Sequence, residues 1–215
     1  MNVEYVFFDL DGTLTDSSKG ITNSVDFALQ KFGIKTEDKT SLYKFIGPPL
    51  IDSFIEFYRF SKNDAITAVE YYREYYGKTG IFENTLYDGV IPLLKMLKKK
   101  GKKIVLATSK PQKYALKILE HFGILEYFDL VVGATMGETR TKKQEVINFA
   151  LKKLKIKDTN SVIMIGDRSH DTVGAHLCGI KAIGVLYGFG TEQELKSVYT
   201  EYIVSDMESL ISFLK

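Results

Sequence analysis

Phe7-Phe8-Asp9-Leu10-Asp11-Gly12-Thr13-Leu14-Thr15-Asp16-Ser17 closes a short apolar run with two aspartates one residue apart, then turns on a glycine. The run Tyr5 to Phe8, rich in aromatic side chains, reads as a buried strand. Asp9 and Asp11 stand at i and i+2, so in extended backbone their carboxylates leave on the same side. There one can attack while the other handles a proton. Gly12 lets the chain turn sharply and brings backbone amides close to a bound anion. An ordinary acidic turn after a strand has the same composition, so the rest of the chain must decide.

Two further apolar runs end alike. Ile104–Ala107 is followed by Thr108, Ser109 and Lys110, and Val162–Ile165 by Gly166-Asp167-Arg168-Ser169-His170-Asp171. Between them, Lys142 and Lys143 open an amphipathic stretch. Strands that each end in polar, reactive residues fit an open parallel sheet, whose ligand crevice lies at the carboxyl ends of its strands.

From Thr15 the period changes. Ile21, Val25, Ala28, Leu29 and Phe32 recur at helical spacing behind the capping candidates Ser17 and Ser18, and Gly33 stops them. Leu42, Phe45 and Ile46 make a shorter helical stretch that Gly47-Pro48-Pro49 must break. Ile51, Phe54, Ile55 and Tyr58 form a third, and Ala65, Val69, Tyr72 and Tyr76 a fourth. Beyond Asp88-Gly89, strands and helices alternate. The spacing predicts helices at Val90–Lys99, Gln112–Phe122, Gln144–Leu154, Thr172–Cys178, Glu192–Val198 and Met207–Leu214, with strands at Ile104–Ala107, Leu130–Val132, Val162–Ile165, Ala182–Val185 and Tyr202–Val204. The expected fold is therefore α/β: a doubly wound, mainly parallel, Rossmann-like sheet with the first strand central, into which an all-helical segment is inserted. The expected boundaries are 1–14 and 86–215 for the core and 15–85 for the insertion.

Bulk properties narrow the function classes. With 45% hydrophobic and 26% charged residues the chain is an ordinary globular one, and a net charge of +2 is too small to argue for nucleic acid. The cluster Lys95, Lys98, Lys99, Lys100, Lys102 and Lys103 reads as a solvated helix end and turn, with a local anion patch as the alternative. Cys178 is the only cysteine, so no intramolecular disulfide forms; it reads as a small buried residue in a reducing compartment. No signal-like leader or membrane-length apolar stretch stands out, so a cytoplasmic protein without a membrane partner is expected, as monomer or homodimer. Tyr71, Tyr72, Tyr75 and Tyr76 at helical spacing read as packing rather than base stacking. Gly184, Gly188 and Gly190 do not have the spacing of a dinucleotide fingerprint.

Four separated motifs, FFDLDGTLTDS at Phe7 to Ser17, LATSKP at Leu106 to Pro111, Lys143 within TKKQEVI, and MIGDRSHD at Met164 to Asp171, together resemble the haloacid dehalogenase superfamily of phosphotransferases. The resemblance covers essentially the whole chain, since the helical insertion sits where smaller-cap members carry their cap domain. FIGPPL at Phe45 to Leu50 is similar to a cap segment of the phosphoglycolate phosphatase-like group. The resemblance implies that Asp9 attacks phosphorus to form an aspartyl phosphate and that Asp11 protonates the leaving alkoxide, then activates water. Thr108, Ser109, Gly12 and Lys143 would hold the phosphoryl group, with Lys142 as the alternative lysine. A phosphate monoester carries about two negative charges near neutral pH, so an attacking carboxylate needs a cation. The implied metal is Mg²⁺, held by Asp9, the Asp11 carbonyl and Asp167 with Asp171 nearby.

A second aspartate is what a phosphatase or phosphomutase needs and a dehalogenase does not, and hydrolysis is the simpler reading. The expected substrate is a small-molecule phosphate monoester, phosphoglycolate-like, selected by Asp16, Lys44, Gly47 and Arg168. Arg168 replaces the small residue common after Gly-Asp in phosphoglycolate phosphatases. With Leu186–Gly190 it resembles capped members that accept nucleoside monophosphates, so a 5'-nucleotidase is the alternative. A phospho-receiver domain or a non-catalytic binding protein is the reading from another class.

Overall fold

The computed structural model describes residues 3–137 and 139–215. In chain order the elements are strand β1 (Tyr5–Phe8), short strand β2 (Thr15–Asp16), helix α1 (Ser18–Lys31), a 3-10 helix (Lys39–Phe45), α2 (Leu50–Tyr58), α3 (Lys62–Tyr76), a 3-10 turn (Gly80–Phe82), short strand β3 (Thr85–Leu86) and α4 (Val90–Lys99). Then follow β4 (Lys103–Pro111), α5 (Gln112–His121), β5 (Leu130–Ala134), α6 (Lys143–Leu154), β6 (Val162–Gly166), α7 (Ser169–His176), β7 (Lys181–Val185), α8 (Glu192–Ser197), β8 (Tyr202–Val204) and α9 (Met207–Leu214), with two further 3-10 turns before β5 and β6.

The chain divides into two compact units, residues 1–15 with 86–215 and residues 16–85. The first carries a six-stranded sheet in the order β5-β4-β1-β6-β7-β8, every pairing parallel. Crossovers lead away from β1 in both directions, so the strand order reverses there and a crevice opens at its carboxyl end. Phe7 and Phe8 are fully buried, as both faces of a parallel sheet require. On one face Phe7, Val105, Val132 and Met164 pack with Val146, Ile147 and Ala150 of α6 and Ala175 of α7. Val6 points to the other face, toward Leu97 of α4 and Phe213 of α9. The lysine cluster is tied down locally: Asp129 accepts from Lys98 and Lys103 at 2.9 and 3.1 Å and from the Ile104 amide, and Lys102 donates to the Val3 carbonyl.

Two boundaries differ from the sequence expectation. β4 continues past Ala107 to Pro111, its register against β5 slipping between those residues, so Thr108 to Lys110 extend the strand instead of forming a loop after it. α7 starts at Ser169, before its first apolar residue, because the Asp171 carboxylate accepts the Arg168 amide at 3.1 Å and closes the first turn.

The second unit packs α1 and α2 on α3. Its core is aromatic: Phe45 meets Phe54 and Phe57 edge-on at 5.0 and 5.4 Å, and Phe54 stacks on Phe60 at 5.8 Å. Ser61 caps α3 by accepting the Asp64 amide. The stretch Lys39–Phe45 is helical as its period suggests, but wound as a 3-10 helix. Tyr72 and Tyr76 are buried and stacked on each other, while the Tyr75 hydroxyl reaches Glu83. The short strands β2 and β3, which no periodicity marked, pair in a two-stranded ribbon. Among the described residues, no helix is long and apolar enough to cross a membrane.

Candidate active site

β1 ends by donating the Asp9 amide to the Ile165 carbonyl of β6 at 2.9 Å. The chain then folds onto one acceptor, the Leu10 carbonyl, which takes the amides of Thr13, Leu14 and Thr15. This compact turn needs Gly12 at φ +81°, and a Cβ there would overlap the Asp167 carboxylate. Gly12 thus serves the close approach of the first aspartate loop to the loop after β6.

Lys143, the first residue of α6, is buried and places its ammonium 2.6 Å from Asp9 Oδ1 and 2.8 Å from Asp171 Oδ1, donating also to the Ala107 carbonyl at 3.0 Å. Burial works against its charge, yet Asp171 and Asp9 outweigh it and hold the lysine well above its ordinary value. Lys142 is exposed, its amide bonded to Glu145. A helical glycine, Gly174 of α7, lies against the stem of Lys143: a Cβ there would come within 2.7 Å of Lys143 Cβ.

Asp9, Asp167 and Asp171 are all buried, with one carboxylate oxygen of each within 4.8 Å of the others. Burial, with Asp171 and Asp9 beside it, raises Asp167 well above the carboxylate range. Burial likewise pushes Asp171 up to about 6, Lys143 pulling it back and Asp9 adding to it. Two of the three carboxylates thus share one ammonium, and Asp167 stands beside them without it. Asp9 Oδ1 and Asp171 Oδ1 meet that ammonium as ion pairs without an aligned hydrogen bond, and the buried Asp11 Oδ1 has no hydrogen-bond donor among the described residues. Oxygen donors that converge and stay under-satisfied fit a hard divalent cation such as Mg²⁺.

Asp11 has a partner that the sequence reading passed over. Lys110 Nζ lies 2.7 Å from Asp11 Oδ2, both side chains largely buried. Lys110 faces inward because β4 runs on to Pro111. Thr108, also buried, accepts the Lys110 amide on Oγ1 at 3.2 Å, and Ser109 between them is half-buried.

The four residues expected to select substrate are divided between the two units. Arg168 is in the core unit, where its Nε donates to Glu194 at 3.0 Å; the same carboxylate accepts the Ser169 amide at 2.8 Å. Asp16, Lys44 and Gly47 belong to the helical unit. Asp16 accepts the Ser18 amide at 2.9 Å, Lys44 lies 4.6 Å over the Phe57 ring, and Gly47 turns the chain at φ +107°. His170 is exposed, and Cys178 is half-buried with its thiol toward the Gln144 carbonyl, burial pushing it up to about 11.

A family model described as haloacid dehalogenase-like hydrolase matches residues 6–185, a span that begins in β1 and ends at the last residue of β7. The chain belongs to the haloacid dehalogenase-like hydrolases. A curated relative from Pseudomonas aeruginosa named 5'-nucleotidase is 41% identical over 210 residues, covering 98% of this chain and 95% of its own. A phosphoglycolate phosphatase from Vibrio parahaemolyticus is 25% identical over 218 residues, with 98% and 95% covered. The crystal structure of a predicted phosphatase from Clostridium acetobutylicum superposes with a TM-score of 0.96 at 47% identity, covering 99% of this chain and 98% of that one. Within this hydrolase, the acidic cluster and its two lysines gather at the carboxyl ends of β1, β4 and β6 and at the starts of α6 and α7.

Proposed function

We propose that this hydrolase is a Mg²⁺-dependent phosphatase that cleaves a small phosphate monoester through a phosphoryl group carried on Asp9. The observation that carries the reading is the contact of Lys143 with both Asp9 and Asp171, beside an Asp11 paired to its own lysine. Asp9 is the nucleophile, and Lys143 fixes the direction of its carboxylate. Asp9, Asp167 and the Asp11 carbonyl would hold the cation, with Asp171 beside them. When bound, Mg²⁺ neutralises phosphoryl charge that would otherwise repel the carboxylate. Asp11 delivers a proton to the leaving oxygen and afterwards takes one from water, which needs a fixed carboxylate, and Lys110 fixes it. Thr108, with Ser109, offers hydroxyl donors to the phosphoryl oxygens. The Lys143 ammonium already faces Asp9, Asp171 and the Ala107 carbonyl, so a phosphoryl oxygen reaching it takes the place of one of them.

The core cluster reads only the phosphoryl group, so the helical unit is proposed as the cap that selects the rest of the ester. Nucleoside monophosphates are the favoured substrates, supported by the relative named 5'-nucleotidase at 41% identity. 2-Phosphoglycolate is the second, on the resemblance of Phe45–Leu50 and the relative of that name. The test is phosphate release from a panel of both classes and sugar phosphates with Mg²⁺, with chelator and Asp9→Asn as controls. Release that both controls abolish, together with acid-stable label on Asp9 after rapid quenching, is the expected result. Unimpaired turnover by Asp9→Asn, or no turnover of any ester, overturns the reading.

A further inference from the structure

The loop after β7 is not part of the proposed chemistry, yet it grips two parts of the acidic cluster. The Phe189 amide donates to Asp167 Oδ2 at 2.8 Å, while Thr13 makes a longer contact of 3.4 Å with Oδ1. Two residues earlier, the Tyr187 hydroxyl donates to the Thr13 carbonyl at 3.0 Å, at the turn that follows Asp9 and Asp11. Tyr87 meets the Tyr187 ring edge-on at 5.1 Å, and its amide donates to the Leu14 carbonyl. Gly188 between these contacts and Gly190 just after them are required by space. A Cβ on Gly188 would overlap the Gly12 carbonyl and the Asp167 side chain, and one on Gly190 would overlap the Asp167 carbonyl. The burial of the Tyr187 phenol, with Asp167 beside it, pushes its pKa up, so the hydroxyl keeps its proton and remains a donor.

We propose that Tyr187–Gly190 is a positioning clamp that fixes the Asp167 carboxylate and the Gly12–Thr13 turn against each other, so that the cation site is preformed. Without it, Asp167 would keep only the long Thr13 contact, whereas Asp9 and Asp171 are both held by Lys143. The amide at Phe189 is the stronger restraint because its acceptor is a carboxylate. Tyr187 acts one step further away, holding the turn on which the Asp167 carboxylate rests. Neither residue touches the reacting atoms; both act through the groups they hold. Serving a carboxylate explains a glycine spacing that fits no nucleotide-binding loop.

This inference rests on the reading of Asp167 as a metal ligand, and the test separates the two. Mg²⁺ binding to the full chain without substrate is measured by titration calorimetry for wild type, Tyr187→Phe, Gly188→Ala, Asp167→Asn and Leu210→Ala. Leu210 is a buried residue of α9 and controls for a mere loss of stability. Tyr187→Phe removes one oxygen and should weaken Mg²⁺ about fivefold, the equivalent of one neutral hydrogen bond. Gly188→Ala, which pushes on Asp167 itself, should weaken it at least about tenfold. Leu210→Ala should lower Tm and leave the affinity unchanged. If Gly188→Ala does not fold, Tyr187→Phe against Leu210→Ala decides alone. Affinity within twofold of wild type in Tyr187→Phe while Asp167→Asn loses binding overturns the clamp and spares the metal reading. Binding by Asp167→Asn equal to wild type overturns both.

Discussion

Replacing Lys143 with methionine deletes the ammonium and keeps the shape, which isolates what the charge does. The ammonium lies 2.6 and 2.8 Å from two buried carboxylates. At an effective dielectric of about 20 each pair carries about 6 kcal/mol of gross attraction. Desolvation of the three groups offsets most of that. Deleting one partner of a buried pair costs about 3–5 kcal/mol net, because the remaining charges are left uncompensated. Urea unfolding at pH 8 without divalent metal should therefore show Lys143→Met less stable by about 3–5 kcal/mol. The loss must also depend on pH in one direction. Asp171 is already pushed up to about 6 by burial, above its ordinary 3.8. Its folded form holds the proton more tightly than its unfolded form, so ionising it as pH rises through that window works against folding. Removing Lys143 raises it further. The difference between the proteins should be largest above pH 7 and narrow toward pH 5, where Asp171 is neutral and the wild-type ammonium keeps only one of its two carboxylate partners, Asp9. A loss below about 1 kcal/mol at pH 8, or one of equal size at both pH values, would refute the view that Lys143 holds the acidic cluster together.

Lys110→Met frees Asp11 and should lower kcat about tenfold or more while changing KM little, since a hydrogen bond to a charged group is lost where the proton moves; steady-state kinetics on the best ester of the panel checks it. Glu201 is held below its ordinary 4.5 although burial opposes this, because the Ala182 amide and His176 bond its carboxylate. A depressed acid stabilises the fold above its unfolded value, so Glu201→Gln should lower Tm at pH 7, and the gap should narrow progressively as pH falls below about 4.5; a gap that does not narrow at all between pH 5 and pH 3 would contradict the assignment. The Cys178 thiol, pushed up to about 11, should alkylate slowly with iodoacetamide at pH 7.5 and faster only as pH climbs past 9. Fast labelling at pH 7.5 would show an activated thiol instead.

The parallel sheet was legible because its inner strands are buried on both faces and read as unbroken apolar runs: Tyr5–Phe8, Ile104–Ala107 and Val162–Ile165 all lie within strands. Asp9, Asp167 and Lys143 were legible because each follows such a run or opens a helix. Lys110 was not, since a lysine after Thr-Ser carries no sign of whether it faces water or a carboxylate. That depends on how far β4 continues, and the slip in its register with β5 is set by packing rather than by periodicity. The purpose of Gly188 and Gly190 was hidden for a related reason: the group they make room for, Asp167, lies some twenty residues away in the chain. β2 and β3 have two residues each, too few for any period to show. Arg168, expected at the substrate, is paired with Glu194 of the next helix, a pairing no local pattern announces.

The contact between Gly174 and the stem of Lys143 bears on any attempt to make this enzyme more heat-resistant. A glycine inside a helix is the standard target for replacement by alanine, worth about 1 kcal/mol in helix propensity. At Gly174 the added methyl would press on Lys143 Cβ and Cγ and on the Gln144 amide. The helix that donates Asp171 would be pushed away from the helix that donates its counter-charge, and the gain in propensity would be spent on opening the gap between them. Engineering for durability should begin elsewhere, with α6 and α7 kept at the separation that a single hydrogen atom allows.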